Sequence, residues 1–191
     1  MPLLMPMEAG AKRLNSDFYV EGYATTFNDP YCLYEYDGNK YFEVIDRGAL
    51  EGADVSDVIM QYNHSGKVFA RQTNNTLGIL ENEKGLFIFA DLSKSNAARD
   101  MYDEIKSGLI TRMSWAFTIA SDKYDRDSRT RTILRIKKVY DVSAVSYPAN
   151  PETEITARDY FNGLIEVEKQ ERLLRGRDLE HLKLKIKLGV I

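Results

Sequence analysis

At residues 111–117 the sequence reads TRMSWAF, a strand-like run in which one small hydroxyl residue, Ser114, stands among larger neighbours. A lone serine in a strand is usually a packing residue or part of a surface alternation, so this stretch alone assigns Ser114 no role. Two other β-prone stretches bear on it: QYNH at residues 61–64, with one of the two histidines, and YDVSAV at residues 140–145, where an acid opens an apolar run. The role of Ser114 therefore depends on whether these stretches meet in space.

The composition of the chain is that of a soluble globular protein. Its 191 residues suffice for one domain with a full core and a small appendage, and 43% of them are hydrophobic, including 12 Tyr and 8 Phe. This is too apolar for a disordered chain, and no apolar run reaches the length of a bilayer span. The apolar start, residues 1–7, carries two prolines and no basic leader, so no signal peptide is expected. We therefore expect a cytoplasmic protein that binds no membrane.

The counts of cysteine, histidine and charge exclude several kinds of site. The single cysteine, Cys32, excludes an internal disulfide, and no histidine stands near it in sequence to activate it as a nucleophile. One cysteine and two histidines make a structural zinc site unfavourable. The net charge of −3 argues against a nucleic-acid partner, and the arginines at residues 126–131 are offset by neighbouring aspartates, which indicates a solvated turn.

Runs of β-branched and aromatic residues, punctuated by Gly, Asn and Pro, predict a series of short strands. The predicted strands are residues 18–27, 41–45, 58–62, 67–70, 76–80, 86–90, 109–120, 133–139 and 142–145. The Tyr-rich segment around Cys32 reads as a loop before a turn at residues 37–39. A helix is predicted from an N-cap at Ser95 to about Lys106, with Gly108 as its stop. The spacing of the strands indicates an antiparallel meander, mainly β with a packed helix.

The composition of the chain changes after Pro151. Glu168 and Arg172 stand four residues apart, as on an exposed helix face, and residues 182–188 alternate apolar residues with lysines, which fits either a strand or the apolar side of a helix. We predict three parts: a flexible N-terminal tail at residues 1–16, a β domain at residues 17–157 and a charged helical appendage at residues 158–191.

Serine becomes a useful nucleophile only when a base removes its proton, and the base works best when an acid fixes its tautomer. His64 stands at the end of a predicted strand, before a break at Ser65-Gly66, whereas His181 lies in the charged appendage and reads as solvated. Asp141 opens an apolar strand, where its carboxylate needs a partner. Two alternatives stay open, because His64 can be a satisfied structural histidine and Asp141 can cap a turn.

A series of short motifs runs through the chain from residue 22 to residue 151. They are GYA at residues 22–24, RGAL at 47–50, NH at 63–64, GL at 85–86, SGLI at 107–110, MSWAF at 113–117, DVSAV at 141–145 and PANP at 148–151. In their order and spacing these motifs resemble the prohead serine protease family of tailed phages, over roughly residues 17–157.

The resemblance implies a protease domain that is a closed or partly closed antiparallel β-barrel with packed helices, related in fold to the herpesvirus maturation proteases. Residue by residue, the family's nucleophile falls on Ser114, its histidine on His64 and its acid on Asp141. The chain departs from the family pattern at two positions, since the family often has glutamate where this chain has Asp141 and commonly has glycine where it has Ala116. Because aspartate is shorter than glutamate, the distance from the Asp141 carboxylate to His64 decides whether the acid can contact the histidine.

The resemblance also implies a function and partners. A serine endopeptidase of this family cleaves scaffold protein, major capsid protein precursor or both inside the immature phage head, in the cytoplasm of the bacterial host, without a cofactor or metal. Further partners would be copies of the chain itself, through self-cleavage or a homo-oligomer. The alternative function is that of a non-catalytic β-barrel, a structural or adaptor component of the phage head that has kept the fold and lost the activity.

Overall fold

The computed structural model describes residues 13–146, Gln170 and residues 173–177 of the chain. The chain separates into two compact units, Met1–Thr153 and Glu154–Ile191. The predicted tail at residues 1–16 and the predicted appendage at residues 158–191 lie mostly outside the described residues. Gln170 and residues 173–177 are helical, so a helical appendage of the predicted length is not established and stays a prediction.

The first unit is mainly β, as predicted. Its elements are β1 (Tyr19–Thr26), β2 (Tyr31–Tyr36), β3 (Asn39–Ile45), β4 (Ile59–Tyr62), β5 (Ser65–Arg71), β6 (Leu77–Glu81), β7 (Gly85–Asp91), α1 (Asn96–Lys106), β8 (Arg112–Asp125) and β9 (Thr130–Val145), with a 3-10 turn at Gln72–Asn74. The predicted strands are confirmed, except that the segments predicted at residues 133–139 and 142–145 form the single long strand β9.

The loop predicted around Cys32 is wrong, because this segment is strand β2. β2 and β3 form a hairpin in which Tyr36 pairs with Asn39 around the two-residue turn Asp37-Gly38, with φ values of 50° and 72°. Asp-Gly favours this turn, since both of its residues tolerate positive φ. A register shift between Cys32 and Tyr34 interrupts the period-2 pattern, which hides the strand in the sequence.

The helix α1 has the predicted ends. The Ser95 side chain accepts a hydrogen bond from the Ala98 N–H at 3.1 Å, and Gly108 just beyond the helix has φ of 78°. Ala98, Met101 and Ile105 are buried on one face of the helix, in the hydrophobic core. Within the described part of the chain, no helix is long and apolar enough to cross a membrane.

Strand β9 organises the larger of two sheets. β8 runs antiparallel to β9 along almost its whole length, while β3 and β4 pair with β9 in parallel, β3 near its start and β4 near its end. Because β8 occupies one edge of β9 over both regions, β3 and β4 share the opposite edge. The sheet order is therefore β2-β3-β9-β4-β5 with β8 beside β9. Parallel pairing at the centre makes the predicted antiparallel meander wrong there.

A closed barrel is not found among the described strands. The second sheet has the order β1-β7-β6 and is antiparallel, and no strand of it is hydrogen-bonded to the larger sheet. The edge strands of the larger sheet are β2, β5 and β8. The β2-β3 and β4-β5 hairpins both pair with the edge of β9 that β8 leaves free, so the sheet does not return onto itself. β1 and β8 still approach each other, and the core lies among residues of both sheets and α1.

A buried polar cluster ties β2, β3, β8 and β9 together at the start of β9. The Tyr31 hydroxyl donates to Glu43 Oε1, and Arg131 lies between Glu43 Oε2 at 3.8 Å and Asp122 Oδ2 at 2.7 Å. Burial raises the pKa of the Glu43 carboxyl, an effect that the Tyr31 hydrogen bond and the Arg131 charge partly offset. The charged and hydroxyl groups of the cluster are partners for one another. They connect β3 to the start of β9, which is the end of this strand that lies far from Asp141.

Gly85 begins β7 and pairs with Thr26 at the end of β1. A Cβ atom at Gly85 would lie 2.0 Å from the Thr25 carbonyl oxygen and 2.9 Å from Thr26 Cα, which are backbone atoms that cannot rotate away. We expect Gly85→Ala to lower the free energy of unfolding by about 1–3 kcal/mol, measured by equilibrium urea denaturation.

The matched control is Gly176→Ala, because among the described residues no atom lies within 4 Å of a Cβ placed there. In a helix this change is expected to be neutral or stabilising by up to about 1 kcal/mol. A Gly85→Ala protein with the wild-type urea midpoint would show that β1 and β7 can separate without cost.

Candidate active site

His64 lies in the two-residue turn between β4 and β5. Tyr62 pairs with Ser65 across this turn, and Asn63 and His64 have φ values of 46° and 57°. Positive φ is uncommon outside glycine, and Asn and His are among the residues that adopt it most readily. The break predicted at Ser65-Gly66 is therefore two residues too late, since Ser65 and Gly66 already belong to β5.

The turn that carries His64 is anchored to the end of β9. The Asn63 N–H donates to the Ala144 carbonyl oxygen at 3.0 Å, and the Ser146 N–H donates to Asn63 Oδ1 at 3.2 Å. The Tyr62 and Ser146 hydroxyls are also hydrogen-bonded to each other. These bonds to β9 and the residue after it hold the positive-φ turn in place and keep His64 close to the strand that carries Asp141.

His64 and Asp141 form a buried pair. The distance from His64 Nδ1 to Asp141 Oδ1 is 2.7 Å, and the two side chains are only 6% and 7% exposed. A carboxylate can only accept, so Nδ1 is the donor, and in neutral His64 the other nitrogen, Nε2, is left as the basic one. Nε2 is buried and has no hydrogen-bond partner in the described part of the chain. The aspartate side chain is therefore long enough to reach the histidine.

Ser114 lies on the same face of the sheet as Asp141. In the antiparallel pair of β8 and β9, Ser114 is opposite Ser143 and Ala116 is opposite Asp141. Directly opposed residues point to one face, and so do residues two apart along a strand. Met113, Trp115 and Val142, at the alternate positions, belong to the hydrophobic core. This face of β8 and β9 thus carries Ser114, Asp141 and Ser143, three polar residues that are all buried.

The hydroxyl of Ser114 is not joined to His64. Both residues are described, and no hydrogen bond links the Ser114 side chain to His64 Nε2, although Ser114 is only 5% exposed. The structure therefore brings together two of the three predicted residues, His64 and Asp141, and places the third on their face of the sheet. In proteases without substrate the hydrogen bond from nucleophile to base is often long or poorly aligned.

Ser143 is a polar residue of the site that the sequence prediction did not single out. Its Oγ donates to Asp141 Oδ1 at 2.6 Å, and the residue is fully buried. In the sequence, Ser143 belongs to the apolar strand predicted at residues 142–145. Its position two residues after Asp141 was the available signal, since residues i and i+2 of a strand share a face.

The other residues considered from sequence lie elsewhere. Cys32 is exposed on β2, and its thiol contacts the Tyr34 carbonyl oxygen at 3.6 Å. His181 lies outside the described residues. Within residues 13–146, Gln170 and residues 173–177, no three His, Cys, Asp or Glu side chains are arranged to hold a metal ion.

Comparison with known proteins gives a family and a relative. A family model for the caudovirus prohead serine protease matches residues 7–164 of this chain. The prohead protease of Enterobacteria phage HK97 is 28% identical over 159 residues, which cover 81% of this chain and 66% of that relative, so the chain spans just under two thirds of the relative's length. No solved structure gives a significant match. The matched region includes β4, β8 and β9, on which the site is built.

Proposed function

We propose that this chain, which belongs to the caudovirus prohead serine protease family, is a serine endopeptidase that cleaves precursor proteins of the phage head during maturation. The observation that carries the proposal is the buried His64–Asp141 pair, whose basic nitrogen Nε2 has no partner in the described part of the chain. Ser114 lies on the same face of the adjacent strand and is the nucleophile of the proposal.

The proposed mechanism is acyl transfer. Ser114 Oγ attacks a substrate peptide carbonyl, and His64 Nε2 takes the hydroxyl proton and returns it to the leaving amine. Asp141 keeps the Nδ1–H of His64 oriented and stabilises the imidazolium that forms. Water then hydrolyses the acyl-enzyme by the same route. The mechanism requires the Ser114 hydroxyl to form a hydrogen bond to His64 Nε2 when substrate binds, because the substrate-free structure has no such hydrogen bond.

The proposed substrates are scaffold protein and the major capsid protein precursor, and the proposed place of action is the interior of the immature head. The HK97 relative is a prohead protease, which supports a substrate within the prohead. Self-cleavage, a homo-oligomer and the lack of a nucleic-acid or membrane partner remain predictions from sequence. Closure of the sheets into a barrel and a relation to herpesvirus maturation proteases also remain predictions.

We expect a fluorophosphonate probe to label the wild-type chain at Ser114, because such probes react with serines whose proton a neighbouring base can remove. Peptide mass spectrometry of the labelled protein identifies the modified residue. The matched control is Ser121→Ala, which removes an exposed serine of the same strand, β8, and is expected to leave the labelling unchanged.

One observation favours the alternative function, a non-catalytic component of the phage head. The Ser114 hydroxyl makes no hydrogen bond to His64 Nε2. A protein that has kept the fold and lost its activity is expected to lack this hydrogen bond. Labelling separates the two functions. A folded wild-type chain that takes up no probe at any serine would support the structural component and contradict the peptidase.

A further inference from the structure

Ser143 is a buried hydroxyl that the proposed mechanism does not use. Its Oγ donates to Asp141 Oδ1 at 2.6 Å, and none of its surface is exposed. We propose that Ser143 is a positioning residue, whose hydroxyl holds the Asp141 carboxylate in the one orientation that receives His64 Nδ1. This inference rests on the proposed function, in which Asp141 acts on Ser114 only through His64.

The backbone of Ser143 is fixed on both sides. It is opposite Ser114 on β8 and opposite Gln61 on β4, so β9 is an interior strand of the sheet at this residue. A hydroxyl on such a strand has little freedom beyond rotation of its own side chain. Ser143 therefore provides a donor whose position is set by the sheet itself rather than by a loop.

A single carboxylate oxygen receives both donors. Asp141 Oδ1 lies 2.7 Å from His64 Nδ1 and 2.6 Å from Ser143 Oγ. The Asp141 side chain has several staggered rotamers, and only a rotamer that places Oδ1 between these two donors makes both bonds. The bond from Ser143 thus favours the same rotamer that the bond to His64 requires. It also supplies a second partner to a buried charge, which a buried carboxylate needs.

Ser143 is distinguished from a nucleophile by the same contacts. Its hydroxyl proton is engaged with Asp141, whereas the Ser114 side chain has no hydrogen bond to either member of the pair. A serine that donates to the acid cannot at the same time donate to the base. Ser143 therefore acts through Asp141 and His64, and Ser114 remains the residue that attacks the substrate.

The test compares Ser143→Ala with Ser143→Thr in the full chain. Removing a hydrogen bond to a charged group should lower kcat about 10- to 100-fold, with KM unchanged because Ser143 does not contact substrate. Ser143→Thr keeps a hydroxyl at the same position and should restore most of the lost kcat. Substrate is a head-protein precursor, and Ser121→Ala serves as the control for loss of an unrelated hydroxyl of the same sheet.

A second measurement does not depend on activity. The proton on His64 Nδ1, bonded to Asp141, should give a low-field ¹H resonance, which His64→Ala identifies by its loss. We expect Ser143→Ala to shift or broaden this resonance and Ser143→Thr to retain it, in proteins whose remaining spectrum shows an intact fold. This measurement is informative even if the chain cleaves nothing. In that case the proposed function fails, and the resonance still shows whether Ser143 positions Asp141.

Three results would overturn the inference. One is a Ser143→Ala protein with the wild-type kcat and an unchanged low-field resonance, since the carboxylate would then hold its place unaided. Another is a fluorophosphonate adduct found on Ser143 instead of Ser114, which would make Ser143 the nucleophile. A uniform loss of fold in Ser143→Ala, with no rescue by Ser143→Thr, would also contradict a role confined to the hydroxyl.

Discussion

We expect Ser114→Ala to abolish cleavage of the head-protein precursor and to leave the fold intact. Loss of the proposed nucleophile should lower kcat by at least about 10³-fold, because in the proposed mechanism no other group of the site forms the acyl-enzyme. The fold should be preserved because the Ser114 side chain makes no hydrogen bond to His64 or Asp141. Its removal therefore leaves the hydrogen bonds that Asp141 accepts from His64 and Ser143 in place.

Co-expression with the precursor, followed by gel electrophoresis, measures the cleavage. The intact masses of wild type and Ser114→Ala, measured together, also show whether the chain removes part of itself. Ser121→Ala is again the control and should cleave normally, since it changes an exposed residue of the same strand. Unchanged cleavage by Ser114→Ala would remove this residue from the mechanism.

Asp141→Asn is expected to have the second largest effect, a loss of about 10³- to 10⁴-fold in kcat. The amide has nearly the shape of the carboxylate, but it carries no charge to stabilise the imidazolium of His64. It also offers a donor on one side, which can select the wrong tautomer of the ring. Steady-state kinetics on the precursor should show the loss in kcat rather than in KM.

Asp141→Glu is the informative partner of this variant, because it keeps the negative charge and lengthens the side chain by one methylene. The longer side chain must fit beside Ala116, which lies directly opposite Asp141 on β8. We expect Asp141→Glu to keep more activity than Asp141→Asn, since it preserves the charge. An Asp141→Asn protein as active as wild type would show that His64 needs no acid.

Most strands and the helix α1 could be predicted from local patterns, because their signals lie within a few residues. Ser95 and Gly108 mark the ends of α1 in the sequence as they do in the structure. The failure at β2 has a local cause as well, since the register shift after Cys32 breaks the alternation that identifies a strand. The turn at Asn63-His64 could not be located from the sequence, because both of its residues adopt positive φ without being glycine. The nearby Gly66, which also has positive φ, is the residue that marks a turn by its type.

The pairing of the strands could not be predicted from those patterns. A period of two tells which face of a strand is buried, but it does not tell which strand lies beside it. The meander expected from spacing fails at β9, because β3 and β4 reach it in parallel from distant parts of the chain. For the same reason the barrel implied by the family resemblance did not emerge from the described strands.

The sequence by itself determined the residue types that can carry the chemistry. With two histidines in the chain, one of them in a charged segment, His64 was the remaining base, and the order of the motifs pointed to Ser114 and Asp141. Only the tertiary structure decided which of these residues meet. Asp141 touches His64 because β4 lies beside β9, and Ser143 joins them because it shares a face with Asp141. Such contacts depend on non-local pairing, which the chain acquires only when its sheets form.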